Sequence, residues 1–167
     1  MSIKHWTTNI VGHEGEWIWS HSGQPLTESS WAPNFPNTTS GNTDDCGVMV
    51  VDPMQLWWED CSCATTTFEQ KKVAPICQHN GLCPAGGWKL FEGHCYQVVE
   101  SSVTWAAAEK DCNNKGGHLA SIHSADENSF IHSLYSSNWL WIGGTDAAVE
   151  VGFTIYINIY ELKSPSA

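Results

Sequence analysis

Apolar positions in this chain follow two periods. Over residues 104–115, Trp105, Ala108 and Cys112 fall on one helical face within an Ala-rich stretch, with Thr104 placed to cap the start and Gly116 to end it. A second helix is predicted from Ser124, where Ser124-Ala125-Asp126-Glu127 forms a capping box ahead of Phe130, Ile131 and Leu134. Short β-prone runs at 17–19, 46–51, 73–77, 90–98, 118–122 and 139–142 predict strands. Between 20 and 45 the chain is mostly Ser, Thr, Asn, Pro and Gly, the composition of a long ordered loop, and such loops in small domains are usually functional.

Composition narrows the class. The chain has 167 residues, 41% hydrophobic, with ten Trp, enough for one real core. The formal net charge is −11 and all seven cations are lysines, scattered along the chain, so the basic footprint that neutralises phosphates is missing and neither nucleic acid nor an anionic membrane surface is an expected partner. No run of about eighteen apolar residues predicts membrane insertion. Seven Cys point to an oxidising, extracellular compartment. The N-terminus lacks the blocks of a signal peptide, which points to Met1 as an internal start within a longer tandem product or the edge of a gene model.

Catalytic chemistry finds no support. The eight His are dispersed rather than spaced as zinc ligands, Cys61-Ser62-Cys63 lacks the redox spacing, and phosphate-loop, nucleophile-elbow and His-Glu-x-x-His signatures do not occur. The chain is therefore not expected to be an enzyme.

Two series of motifs resemble the C-type lectin-like domain. One contains Cys83, Gly87-Trp88, Cys95-Tyr96, Trp105, Cys112, Gly117-His118-Leu119-Ala120-Ser121-Ile122 and Trp141-Ile142-Gly143-Gly144-Thr145-Asp146. The other contains Glu14-Gly15-Glu16-Trp17-Ile18-Trp19, Trp31-Ala32-Pro33-Asn34-Phe35-Pro36-Asn37, Asp44-Asp45-Cys46, Trp57-Trp58-Glu59-Asp60-Cys61-Ser62-Cys63 and Ala74-Pro75-Ile76-Cys77. In the family the first series opens the domain and the second closes it. This chain carries them in reverse order, with the closing half at 1–80, the opening half at 81–152 and a non-family tail at 153–167. The resemblance implies an α+β C-type lectin-like fold with two helices, short antiparallel sheets and a long loop region. Family strands flanking the 78–87 linker lie side by side, so the favoured arrangement is a circularly permuted domain. Reciprocal pairing in a swapped dimer, and a non-functional fragment of two successive tandem domains, stay open. A weak repeat at constant offset matches Thr8, Asn9, Gly15 and Ile18 to Thr145, Asp146, Gly152 and Ile155, as a duplicated junction would. The tail is uncharged and β-prone over 153–160, which reads as an exposed strand, an aggregation-prone segment or a read-through end.

The resemblance also implies site residues. Family pairing joins Cys83 to Cys95, Cys46 to Cys63 and Cys77 to Cys112, and leaves Cys61 as a free thiol, a competitor of Cys63 or an intermolecular link. The family's calcium and sugar triad falls on Phe35-Pro36-Asn37, without its first oxygen ligand; Asn37, Asp44, Glu59 and Asp60 are the remaining candidates for carbohydrate and Ca2+ binding. Phe35 is a candidate platform for a sugar face or a protein partner. Asn37-Thr38-Thr39 is also a glycosylation sequon, so a glycan on Asn37 competes with calcium for the same amide. Gln24-Pro25-Leu26 imitates a galactose-type triad but lies too early in the loop. The implied function is an extracellular carbohydrate-recognition module with weak calcium dependence, its partners glycans or glycoproteins. The alternative is a calcium-independent protein-interaction or adhesion module.

Overall fold

The computed structural model describes residues 10–11, 14–27, 30–39, 43–51, 56–135, 139–147 and 149–150; the tail at 153–167, and Thr8, Asn9, Gly152 and Ile155 of the weak repeat, lie outside them. In chain order the strands are β1 (Ile10–Val11), β2 (Ile18–Trp19), β3 (Cys46–Met49), β4 (Trp58–Cys61), β5 (Thr67–Phe68), β6 (Lys71–Asn80), β7 (Lys89–Phe91), β8 (His94–Val98), β9 (His118–Leu119), β10 (Trp139–Thr145) and β11 (Val149–Glu150). The helices are α1 (Trp105–Asn114), before β9, and α2 (Ala125–Ser133), before β10. The class is α+β, consistent with the C-type lectin-like fold.

Local chemistry sets the helix bounds. Thr104 Oγ1 accepts from the Ala107 N–H and Ser124 Oγ from the Glu127 N–H, each satisfying an orphan donor of a first turn. Glu127 reaches back to accept the His123 N–H at 2.7 Å, and its other carboxylate oxygen accepts from the Tyr96 hydroxyl. α1 stops where Gly116 takes φ 80°, the left-handed conformation that glycine adopts without penalty. At Gly117 a Cβ would stand 2.3 Å from the Gln78 carbonyl oxygen, so only glycine lets α1 turn so closely against β6.

The main sheet runs β4-β3-β10-β6-β8-β7, with β2 on β10 and β5 and β9 on β6. β10 is buried along its whole length, antiparallel to β3 (Trp141↔Val48) and parallel to β6 (Trp141↔Pro75). Among the described strands, the expectation of antiparallel sheets therefore holds for every pairing but this parallel one. The run at 90–98 divides into β7 and β8 around Glu92 and Gly93, both at positive φ. β6 continues beyond 77 to Asn80, where it pairs with His94, so it takes up the first residues of the expected linker. The sequence pattern does not reveal β4, because two Trp and two carboxylates in succession hide its alternation.

Described residues of both segments, 1–80 and 81–152, pack together in each of two hydrophobic clusters. Trp19, Trp58, Trp139 and Trp141 are each 1% exposed or less. The Trp58 Nε1–H donates to Asn128 Oδ1 of α2 at 2.7 Å, and Asn128 Nδ2 donates to the Leu56 carbonyl. Disulfides join Cys46 to Cys63, Cys83 to Cys95 and Cys77 to Cys112. The last connects β6 to α1 and so ties the two segments covalently. Cys61 is a buried free thiol. Burial, followed by the charges of Asp44, Asp60 and Glu59, pushes its pKa up to about 12, which removes the thiolate needed for nucleophilic attack. We expect iodoacetamide to leave Cys61 unmodified in native protein at pH 8 and to label it fully after denaturation; rapid native labelling by mass spectrometry would contradict this placement.

Candidate binding site in the long loop

β4 supplies the floor of the site. It pairs with β3 in the register Val48↔Glu59 and Gly47↔Asp60. Successive strand residues project to opposite faces, so Glu59 and Asp60 do not act from the same side. The loop from Ser30 to Asn37 is laid along this strand by main-chain bonds: the Trp58 N–H donates to Ser30 O at 2.7 Å, and the Ala32 N–H to Trp58 O at 2.8 Å. An aromatic cluster backs it, with ring centroids 4.6 Å apart for Trp17–Trp31, 5.8 Å for Trp31–Trp58 and 5.9 Å for Trp19–Trp58, all edge-to-face.

The loop end is held by a carboxylate. Asp60, 3% exposed, accepts the Asn37 N–H on Oδ2 at 2.9 Å, while its buried Oδ1 has no hydrogen-bond partner among the described residues. Asp146, just after β10, repeats the arrangement: Oδ2 accepts the Gly15 N–H at 2.8 Å, and buried Oδ1 has no hydrogen-bond partner among the described residues. Burial raises the pKa of both, opposed by those backbone bonds and reinforced by Asp44 and Asp146 around Asp60 and by Asp45 around Asp146. Asp45 is raised by burial and then by Asp44. Exposed Glu14 is raised by partial desolvation and then by Asp146, Asp45, Asp60 and Asp44.

The four sequence candidates are thus only partly collected. Asp60 and Asp44 share one electrostatic field, and Asn37 reaches Asp60 through its backbone while its amide oxygen accepts the Thr39 N–H at 3.2 Å. Glu59 is raised by burial and then chiefly by Glu69. Phe35 stands half-buried beside a cis Phe35–Pro36 bond, its N–H donating to Ala32 O at 3.0 Å. Gln24-Pro25-Leu26 is folded back on β2 by the bonds Trp19 N–H to Gln24 O and Leu26 N–H to Trp17 O. Among the described residues, no set of three or more His, Cys, Asp or Glu converges to hold a metal ion. Asp146, Asp45 and Glu14 belong to the acidic cluster but were absent from the sequence candidates, although all three stand inside family motifs. Calcium takes six to eight oxygens. The free Oδ1 atoms of Asp60 and Asp146 suit such an ion in chemistry, whereas Phe35 and Glu59 do not suit it in placement.

The acidic cluster makes stability pH-dependent. A carboxyl with a raised folded pKa contributes stability below its unfolded pKa, near 4, that is lost as pH rises through the folded value. In calcium-free buffer we expect Asp60→Asn to stabilise the protein at pH 7 and to flatten this part of the pH profile. Urea titrations of both forms at pH 4.5 and 7 check it; an equal or greater loss at pH 7 would show that the ionised carboxylate is net stabilising.

Residues 101–163 match the family model for the Lectin C-type domain, a stretch that includes α1, α2 and β10 and runs into the tail. The type-2 ice-structuring protein of Brachyopsis segaliensis is 40% identical over 86 residues, covering 50% of this chain and 50% of that protein. Human C-type mannose receptor 2 is 30% identical over 157 residues, covering 87% of this chain but 10% of the receptor. A snaclec of Gloydius halys, one chain of a coagulation factor IX/factor X-binding protein, is 44% identical over 69 residues, 36% of this chain and 45% of the snaclec. These findings support a C-type lectin-like domain. The chain spans half or less of the length of these relatives, and none of them is named for catalysis. No solved structure matches it at a significant level. Among the described residues, no helix is long and apolar enough to cross a membrane.

Proposed function

We propose that the chain is an extracellular, non-enzymatic lectin-like recognition module that contacts a protein or glycoprotein partner through its long-loop face. The observation that carries this reading is Phe35: it fills the first triad position, half-buried, where a sugar-chelating site needs an oxygen ligand. Glu59 on the opposite strand face and the engaged Asn37 amide deplete the same site further. A cation at Asp60 and Asp146 would then act as a structural clamp on the loop rather than as the bridge to sugar hydroxyls. The relatives named for ice-structuring and for binding coagulation factors support a lectin-like face that serves other ligands.

Carbohydrate recognition is the second reading, favoured by the unpartnered carboxylate oxygens of Asp60 and Asp146 and by the similarity to the mannose receptor. Passage over mannose and galactose columns, with calcium and then with chelator, separates the two. We expect no chelator-sensitive retention from the natural chain; retention that is released by chelator and abolished by Asp60→Ala would establish the sugar reading instead.

We infer further that both segments form one circularly permuted domain, supported by β10 lying between β3 and β6 and by the Cys77–Cys112 bridge. The mannose receptor match runs through both segments in this order, which favours the competing reading of a piece that spans two successive domains. Refolding a mixture of isotopically light and heavy chains decides between a closed monomer and exchange: like-labelled Cys77–Cys112 peptides are expected, and mixed pairs would show domain swapping.

A further inference from the structure

A cavity of about 430 Å³ opens on the side of the sheet formed by β6, β8 and β9, and five imidazoles line it: His21, His79, His94, His118 and His123. None of Phe35, Asn37, Asp44, Glu59 or Asp60 lines it. The topology gathers these rings from distant places: His21 follows β2, His79 lies on β6, His94 on β8, His118 on β9, and His123 precedes α2. Their dispersal along the sequence is what hid the cluster.

Three of the rings are held the same way round. His79 Nδ1 lies 2.7 Å from the Gly116 carbonyl oxygen, His94 Nδ1 lies 2.8 Å from Asn80 Oδ1, and His118 Nδ1 lies 2.6 Å from Glu109 Oε1. A carbonyl or carboxylate oxygen can only accept, so each Nδ1 carries the proton and the neutral ring keeps its lone pair on Nε2. Protonation then adds a donor at Nε2 without breaking any of these bonds. A protonated wall therefore presents charged donors where the neutral wall presents acceptors.

We propose that this cavity is an acid-gated site for an oxyanion group, a sulfate or a carboxylate, bound by the Nε2–H donors of His79, His94 and His118. The charged surroundings are compatible with that. From α1, Glu109 faces His118, and its second oxygen is already occupied by the Leu119 N–H at 2.8 Å, so it holds the imidazolium while offering little to a ligand. Before α2, His123 packs edge-on against Trp19, while Glu127 is taken up by the His123 N–H and the Tyr96 hydroxyl. His21 stacks on His118 with centroids 3.6 Å apart and planes 22° apart. Burial and then the His118 charge lower the pKa of His21, opposed by Glu109.

A free imidazole, with pKa near 6.5, loses about tenfold of its protonated fraction between pH 5.5 and 7.5, and that factor sets the scale of the expected effect. The test is an NMR titration of the histidine side chains with sodium sulfate, and separately with sodium acetate, at both pH values and constant ionic strength. We expect saturable shifts confined to the cavity histidines at pH 5.5, affinity at least tenfold lower at pH 7.5, and at least a fivefold loss at pH 5.5 in His79→Gln and in His94→Gln. His94→Gln changes a partly exposed ring, and an unaltered amide spectrum confirms that the variant is folded. The stronger of the two anions identifies a sulfate ester or a carboxylate as the ligand class. The proposal is overturned by an absence of saturable binding at pH 5.5, by equal binding at both pH values, or by shifts shared equally among all eight histidines. It does not depend on the loop-face reading, since a sugar-column result leaves it untouched.

Discussion

Replacing Cys77 and Cys112 together with alanine is expected to lower the unfolding free energy of the oxidised protein by about 4 kcal/mol. The two residues are 35 apart in sequence, and loop-closure entropy for that span comes to about 3.8 kcal/mol, against about 2.8 kcal/mol for Cys83 and Cys95 at a separation of 12. Both sulfur positions are fully buried, so the alanines also leave a small void. Urea denaturation of the double variant beside Cys83→Ala/Cys95→Ala gives the ranking. A loss below 1 kcal/mol for the Cys77/Cys112 pair would show that the two segments are held together without that clamp.

Trp58→Phe is expected to cost about 2–3 kcal/mol and to free the long loop. The indole is 1% exposed, lies edge-on to Trp19 and Trp31, and donates to Asn128 Oδ1. Phenylalanine keeps a ring but loses volume and strands a buried acceptor, a defect worth about 1–3 kcal/mol on its own. The loop is fastened to the same residue through Ser30 and Ala32. Thermal melts report the stability, and limited proteolysis should find new cuts between 30 and 39 in the variant. An unchanged digest alongside the stability loss would mean that the main-chain bonds alone hold the loop.

Local chemistry made the helices legible: Thr104 and Ser124 cap them, and Gly116 closes the first, as their side chains and backbone freedom require. Strand ends were less legible, because pairing rather than propensity decides them. β6 reaches Asn80 because β8 offers a partner as far as His94, and past Leu119 the Ala120 N–H still bonds β6, at Ile76 O, before the chain turns away. The loop site was half visible. Asp60 stands in a recognisable Trp-Glu-Asp step, yet nothing local to Asp146 or Glu14 announces that β10 and the turn before β2 bring them into one field. The histidine cavity was illegible for the same reason, since its rings come from five separate stretches of chain.

The position of β10 sets a timetable for the molecule. It is the innermost strand, yet its residues, 139–145, follow both of its principal neighbours, β3 at 46–49 and β6 at 71–80. As the chain leaves the ribosome, those two neighbours therefore emerge with a strand-wide gap between them and an apolar face on each side. The gap closes only when the last of the described strands to enter the main sheet arrives. Pairings across such separations are slow to form, and the waiting intermediate exposes the surfaces that chaperones recognise. A protein wired in this order is expected to be most prone to aggregate before its last sheet strand has been made.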